Sequence, residues 1–337
     1  MKKLFNNEAG VSPIVATLVL VVVAIAGAAA VGTILGSFSG DVSDSANSNN
    51  AMGSASTELL IAGSTTVQPV SELIAKDFMK QNPGVKVTVQ AGGSGAGIAS
   101  AGMGIVDIGA ASKFMGDSDK SKFPDLQEHV IGGSAVVVIV NDAFKTAYSG
   151  ATNVSQAELK ALYDSNDNTT LTIGGVSITN ANKVVVYQRT EASGTEETFA
   201  KFATGGSDVD SAVANGDLTT LGTAIGNQGV LDAVKGSSTP AIGFVDFGFA
   251  DGTAGVTVLK IGTYPAVSSS NVKAAVKDLL AGKSSSTSYE MKLCRPLVYL
   301  TNGQPSSLVN NYIQFAMSPG SIDSFANTGY FGITELQ

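Results

Sequence analysis

From Glu58 onward the chain alternates short apolar runs, glycine- and hydroxyl-rich turns, and stretches of helical spacing. No other feature narrows the available architectures as much. Leu59-Leu60-Ile61, Val106-Asp107-Ile108-Gly109, Ala135 to Asn141, Val184 to Tyr187 and Ile242 to Val245 read as strands, and Val85-Val87-Val89 alternates with polar residues as a strand does. Helical spacing covers Val70 to Met79, where Leu73, Ile74 and Phe78 share a face. It recurs over Ile98–Met103, Ser155–Tyr163, Glu196–Phe202, Val272–Leu280 and Ser307–Met317, with Ser155 as an N-cap. Strand–helix alternation of this kind predicts an α/β fold with open, largely parallel sheets. No internal repeat of fixed period is present.

Composition excludes several function classes. The 337 residues suggest about two domains, and a 44% hydrophobic content is too high for a disordered chain. One cysteine, Cys294, rules out an intramolecular disulfide and a cysteine-cluster zinc site. It sits in an apolar stretch and reads as a buried thiol. One histidine, His129, leaves no His-rich metal site, and it reads as structural. A net charge of −8 without a basic run argues against nucleic acid as a partner. No metal or cofactor is expected.

Residues 9–40 carry no charged side chain, and Val11 to Leu35 is almost continuously apolar. At about 1.5 Å per residue that length crosses a bilayer. Lys2 and Lys3 before it and Asp41 and Asp44 after it place the N-terminus inside and the remainder outside. Three readings fit: a secretory signal peptide, a plain membrane anchor, or a third based on resemblance. Glu8-Ala9-Gly10-Val11-Ser12-Pro13-Ile14-Val15 and the helix after it resemble the N-terminus of archaeal type IV pilins. That family's leader is cut just before the apolar segment, which here implies cleavage after Gly10. The organisation expected is a leader at 1–10, a transmembrane or pilin-like helix at 11–36 and a flexible linker at 37–57, the last small, polar and low in complexity. Asn153-Val154-Ser155 and Asn168-Thr169-Thr170 match the N-glycosylation acceptor pattern.

Three strand-to-helix turns concentrate hydroxyls and free amides. They are Ala62-Gly63-Ser64-Thr65-Thr66-Val67-Gln68-Pro69, Ala91-Gly92-Gly93-Ser94-Gly95-Ala96-Gly97 and Arg189-Thr190-Glu191-Ala192-Ser193-Gly194-Thr195. Helix starts attract anions through unpaired N–H groups and the helix dipole. The competing reading of any one turn is ordinary capping by Ser or Thr. The third turn adds an arginine, in a chain where Arg189 and Arg295 are the only arginines among 20 basic residues. A guanidinium grips a tetrahedral oxyanion bidentately, as a lysine cannot. Arg295 reads instead as a lobe-to-lobe or strand-capping ion pair. The phosphate-loop, dinucleotide-loop and hydrolase-elbow glycine patterns are all absent.

The order of these motifs, with Val106-Asp107-Ile108-Gly109-Ala110 and Ile242-Gly243-Phe244-Val245-Asp246-Phe247, resembles the phosphate-binding protein of phosphate ABC transporters, the PstS family. The resemblance runs from about Leu59 to Ile333. It implies a two-lobed type II periplasmic-binding-protein fold, with one lobe at 58–138 and 245–337 and the other at 139–244. It implies phosphate contacts from Thr65, Thr66, Ser94, Arg189, Ser193, Gly194 and Thr195, with Glu191 orienting the arginine. The family's proton-accepting acid falls at Ser112, a departure that puts discrimination against sulfate in doubt.

The function expected is a surface-anchored binding protein that captures inorganic phosphate for ABC permease subunits by lobe closure. The alternative is a pilin-like filament subunit or adhesin that self-associates through its N-terminal helix. An enzyme is not expected, since no nucleophile–base pair or metal cluster stands out.

Overall fold

Val136 to Val140 are fully buried without a break, the pattern of a strand covered on both faces. They form the second half of a 16-residue strand that joins two sheets. The computed structural model describes residues 57–164, 170–190, 193–206 and 218–337. The expected leader, apolar helix and linker up to residue 56, together with Glu191 and the Asn168 acceptor, lie outside them. Among the described residues no helix is long and apolar enough to cross a membrane.

The elements that position the site are β1 (Glu58–Gly63), α1 (Gln68–Gln81), β2 (Lys86–Ala91), α2 (Ser94–Gly102), β3 (Ile108–Ala111), β4 (Leu126–Asn141), β5 (Val184–Arg189), α3 (Gly194–Ala203), β6 (Thr219–Ala224), α4 (Gly226–Gly236), β7 (Ala241–Asp246), β8 (Val256–Val258), α5 (Ser269–Leu280), β9 (Cys294–Asn302), α6 (Ser307–Ala316) and β10 (Phe331–Gly332). The strand order is β2-β1-β3-β9-β4-β7-β5-β6, with β8 and β10 also paired to β4. β1, β2 and β3 are parallel, as are β5, β6 and β7. β4 pairs antiparallel with β7, β8, β9 and β10, and β9 pairs antiparallel with β3. The first half of β4 pairs with β9 up to Ala135, and the second half pairs with β7 from Val136.

Two large apolar cores, and a smaller cluster of Ile98, Ala101, Ala111, Met115, Leu126, Val298 and Leu300, fill the described residues. One packs Ile61, Val70, Ile74, Phe78, Tyr299, Tyr312 and Phe325. Its tyrosines are anchored by Ser71, whose Oγ lies 2.7 Å from Tyr299 Oη and whose carbonyl accepts from Tyr312. The other core packs Val136 to Val140, Val184, Val186 and Val245 around Phe199 stacked on Phe244, their centroids 4.1 Å apart. The α/β two-lobed fold is therefore present.

Three details differ from the sequence reading. The return to the first lobe comes later than 245, because Leu259, Ile261, Val272, Ala275, Val276, Tyr289 and Leu293 belong to the second core. β8 pairs with Ile139–Asn141 and holds this stretch there. β4 begins at Leu126 rather than Ala135, so His129 lies within a strand, its Nε2 3.0 Å from Thr301 Oγ1. α2 begins at Ser94 rather than Ile98, with Gly93 as its N-cap, so Gly95 and Gly97 of the second turn lie in its first turn.

Candidate functional site

The first turn folds back on its own serine. Ser64 is buried, and its Oγ accepts from the amides of Thr66 and Val67 at 3.2 and 3.4 Å. That local bond turns the chain from β1 into α1. Thr65 Oγ1 and Thr66 Oγ1 are buried yet have no hydrogen-bond partner among the described residues. Buried hydroxyls are normally paired, so two such groups in one turn call for a ligand-side account.

The second turn is tied to the end of β3. Ser94 Oγ accepts from the Ser112 amide at 3.0 Å and lies 3.2 Å from Ser112 Oγ. Both serines are 7% exposed. The third turn starts α3: Ser193 is the N-cap and accepts from the Glu196 amide at 3.0 Å. Gly194 and Thr195 are the first helical residues.

The three turns meet at Gly194. A Cβ built there would stand 2.7 Å from Ser112 Oγ, 2.7 Å from Thr66 Oγ1 and 3.5 Å from Arg295 Nη1. Only a residue without a side chain fits, because backbone and hydroxyls approach so closely. The two lobes thus contribute to one place, with Thr66 and Ser112 from the first and Gly194 from the second.

Behind Gly194 lies a buried charged network. Asp246, at the end of β7, is 0% exposed. It accepts from Ser134 Oγ at 3.2 Å, Thr195 Oγ1 at 3.0 Å, Asn227 Nδ2 at 2.7 Å and Arg295 Nη2. Arg295 of β9 also donates from Nε to Ser134 Oγ at 2.9 Å and from Nη2 to Thr195 Oγ1 at 3.1 Å. The ion pair read from sequence for Arg295 is this one, and it links strands of the two lobes. Arg189 donates from Nη1 to Asn227 Oδ1 at 3.2 Å and so joins the same network. Burial pushes the Tyr330 hydroxyl up; the charge of Asp246 adds to the shift, while those of Arg295 and Arg189 oppose it.

Of the residues the sequence singles out, Thr66, Ser112 and Gly194 meet, Ser94 is bonded to Ser112, Thr65 and Ser193 are the chain neighbours of Thr66 and Gly194, and Thr195 and Arg189 are joined through Asn227 and Asp246. Glu191 lies outside the described residues. Sequence reasoning missed Asp246, Asn227 and Ser134. The signals were there in a lone acid closing an apolar strand and in the Gly226-Asn227-Gln228 turn, but neither says what it bonds. Among the described residues no group of acids, histidines or cysteines could hold a metal. The arrangement offers hydroxyls, helix-start amides and guanidinium N–H groups around one point, and such a set binds a small anion.

The chain is 26% identical over 299 residues to the phosphate-binding protein PstS of Bacillus subtilis, an alignment covering 88% of each. Its fold matches an ABC-type phosphate transport receptor from Vibrio cholerae at a TM-score of 0.58 and 20% identity, covering 81% of this chain and 99% of that one. PstS from Borrelia burgdorferi matches at 0.51 and 19% identity, covering 82% of this chain and 98% of that one. The family model described as the PBP superfamily domain matches residues 45–319. With most of its length inside that match, the chain belongs to the PBP superfamily domain family.

Proposed function

We propose that this protein is the substrate-binding component of a phosphate ABC importer. It binds inorganic phosphate between its lobes and delivers it to permease subunits without chemical change. The observation that carries the reading is the meeting of Thr66 Oγ1, Ser112 Oγ and Arg295 Nη1 at Gly194, in a chain whose relatives are phosphate-binding proteins.

In this reading phosphate loses its water and takes hydrogen bonds from Thr65 and Thr66, from Ser94 and Ser112, and from the α3 start at Ser193, Gly194 and Thr195. Arg189 supplies charge, with Glu191 orienting it. Closure of the lobes buries the ion, and reopening releases it. The net charge of −8 opposes long-range capture of an anion, so affinity comes from local dipoles. Residues 11–36, freed of the leader, hold the protein in the cytoplasmic membrane, and residues 37–57 tether the binding head at the cell surface.

Calorimetry with phosphate tests this directly. The full chain in detergent is expected to bind it with one-to-one stoichiometry. Arg189→Ala is expected to lose roughly hundredfold or more in affinity, the usual scale for truncating a buried charged partner. A chain that ignores phosphate, or an Arg189→Ala variant that binds it unchanged, refutes the reading.

A further inference from the structure

We propose that Arg295 is a direct ligand of the bound oxyanion, a second guanidinium in the site; the inference rests on the anion-binding reading above. Arg295 is 2% exposed, and most of its fork is committed. Nε donates to Ser134 and Nη2 to both Thr195 and Asp246. Nη1 is buried and has no partner among the described residues. It is also the guanidinium atom that stands 3.5 Å from the Cβ position of Gly194, where Thr66 Oγ1 and Ser112 Oγ converge.

The chemistry of the missing partner follows. A hydroxyl can rotate to give or accept, but a guanidinium N–H can only donate. The partner of Nη1 is therefore an acceptor. Leaving a cationic N–H dry and unpaired is costly, and Thr66 Oγ1, which approaches the same Gly194 Cβ position, also has no partner among the described residues. An acceptor small enough to reach both, and set against the start of α3, is an oxyanion. Asp246 does not compete for that role, because its two oxygens already accept from Ser134, Thr195, Asn227 and Arg295. It holds the fork so that Nη1 keeps its direction. A planar guanidinium fixed along two of its edges leaves the third no freedom.

The test titrates the full chain in detergent with phosphate, sulfate, arsenate and molybdate by calorimetry. Arg295→Lys keeps the charge and removes the fork. The double change Arg295→Gln with Asp246→Asn removes both charges together, so that no carboxylate is left buried alone. Each is expected to keep a cooperative thermal transition and to lose roughly ten- to hundredfold in affinity. A folded variant of either kind that binds with native affinity overturns the proposal. If neither variant folds, the native chain labelled with nitrogen-15 arginine decides, since it has only two guanidinium groups and Arg189→Lys assigns them. Phosphate must shift the Arg295 Nη–H signals and protect them from exchange; unmoved signals overturn the proposal. If the chain binds another of the four anions but not phosphate, and the variants lose that binding, the phosphate reading fails and Arg295 stands. If the native chain binds none of the four, both fall.

Discussion

Ser112 shows how much a single side chain decides here. It follows β3, shares a hydrogen bond with Ser94 and faces Gly194 across the lobes. A carboxylate at this place would accept a proton that phosphate carries and sulfate lacks; a serine discriminates less, because its hydroxyl can donate as well as accept. Ser112→Asp is expected to raise the phosphate-to-sulfate affinity ratio by roughly tenfold or more. Competition calorimetry checks it, and an unchanged ratio would remove Ser112 from the anion's surroundings. Ser112 was reached only through the family resemblance, which places an acid at this position after the strand. Arg295 was legible only as half of an ion pair. Its aim depends on Asp246, 49 residues away, and on Ser134, 161 residues away, and no local spacing encodes those bonds.

The elements are set by backbone proximity as much as by apolar pattern. α2 lies directly against β1 and β3: a Cβ on Gly97 would stand 2.3 Å from the Ala110 carbonyl and 2.9 Å from Gly63 Cα. The helix can seat there only without that side chain. Gly97→Ala is expected to destabilise the fold by about 1–3 kcal/mol, the usual cost of overpacking. Because the shift carries Ser94 with it, anion affinity should fall as well. Denaturant unfolding and calorimetry together check this; an unmoved midpoint would mean that the helix is not held at this distance. The same glycines hid the start of α2 from the sequence reading, since glycine disfavours helices by about 1 kcal/mol relative to alanine. The polar start of β4 escaped notice for a related reason. Gln127, Glu128 and His129 are only half-buried where β4 pairs with β9, so no apolar run marks them.

At the scale of the whole molecule, the candidate site exists only because residues of both lobes meet at Gly194. A ligand that binds the closed fold and not the unfolded chain stabilises it by mass action. Phosphate at a hundredfold excess over its Kd is therefore expected to add about 2.7 kcal/mol, seen as a thermal transition that climbs with the logarithm of phosphate concentration. A transition indifferent to phosphate would contradict the binding function at this scale. What the sequence determined by itself was the α/β class, the three hydroxyl-bearing turns and the exclusion of metal-cluster and disulfide architectures, because these follow from residue type and short-range spacing. The tertiary structure decided where the lobes divide, which strand serves both sheets, and that Thr66, Ser112, Gly194 and Arg295 face one point. Those outcomes arise from contacts between residues far apart in the chain, whose geometry is fixed only when both cores have packed around β4.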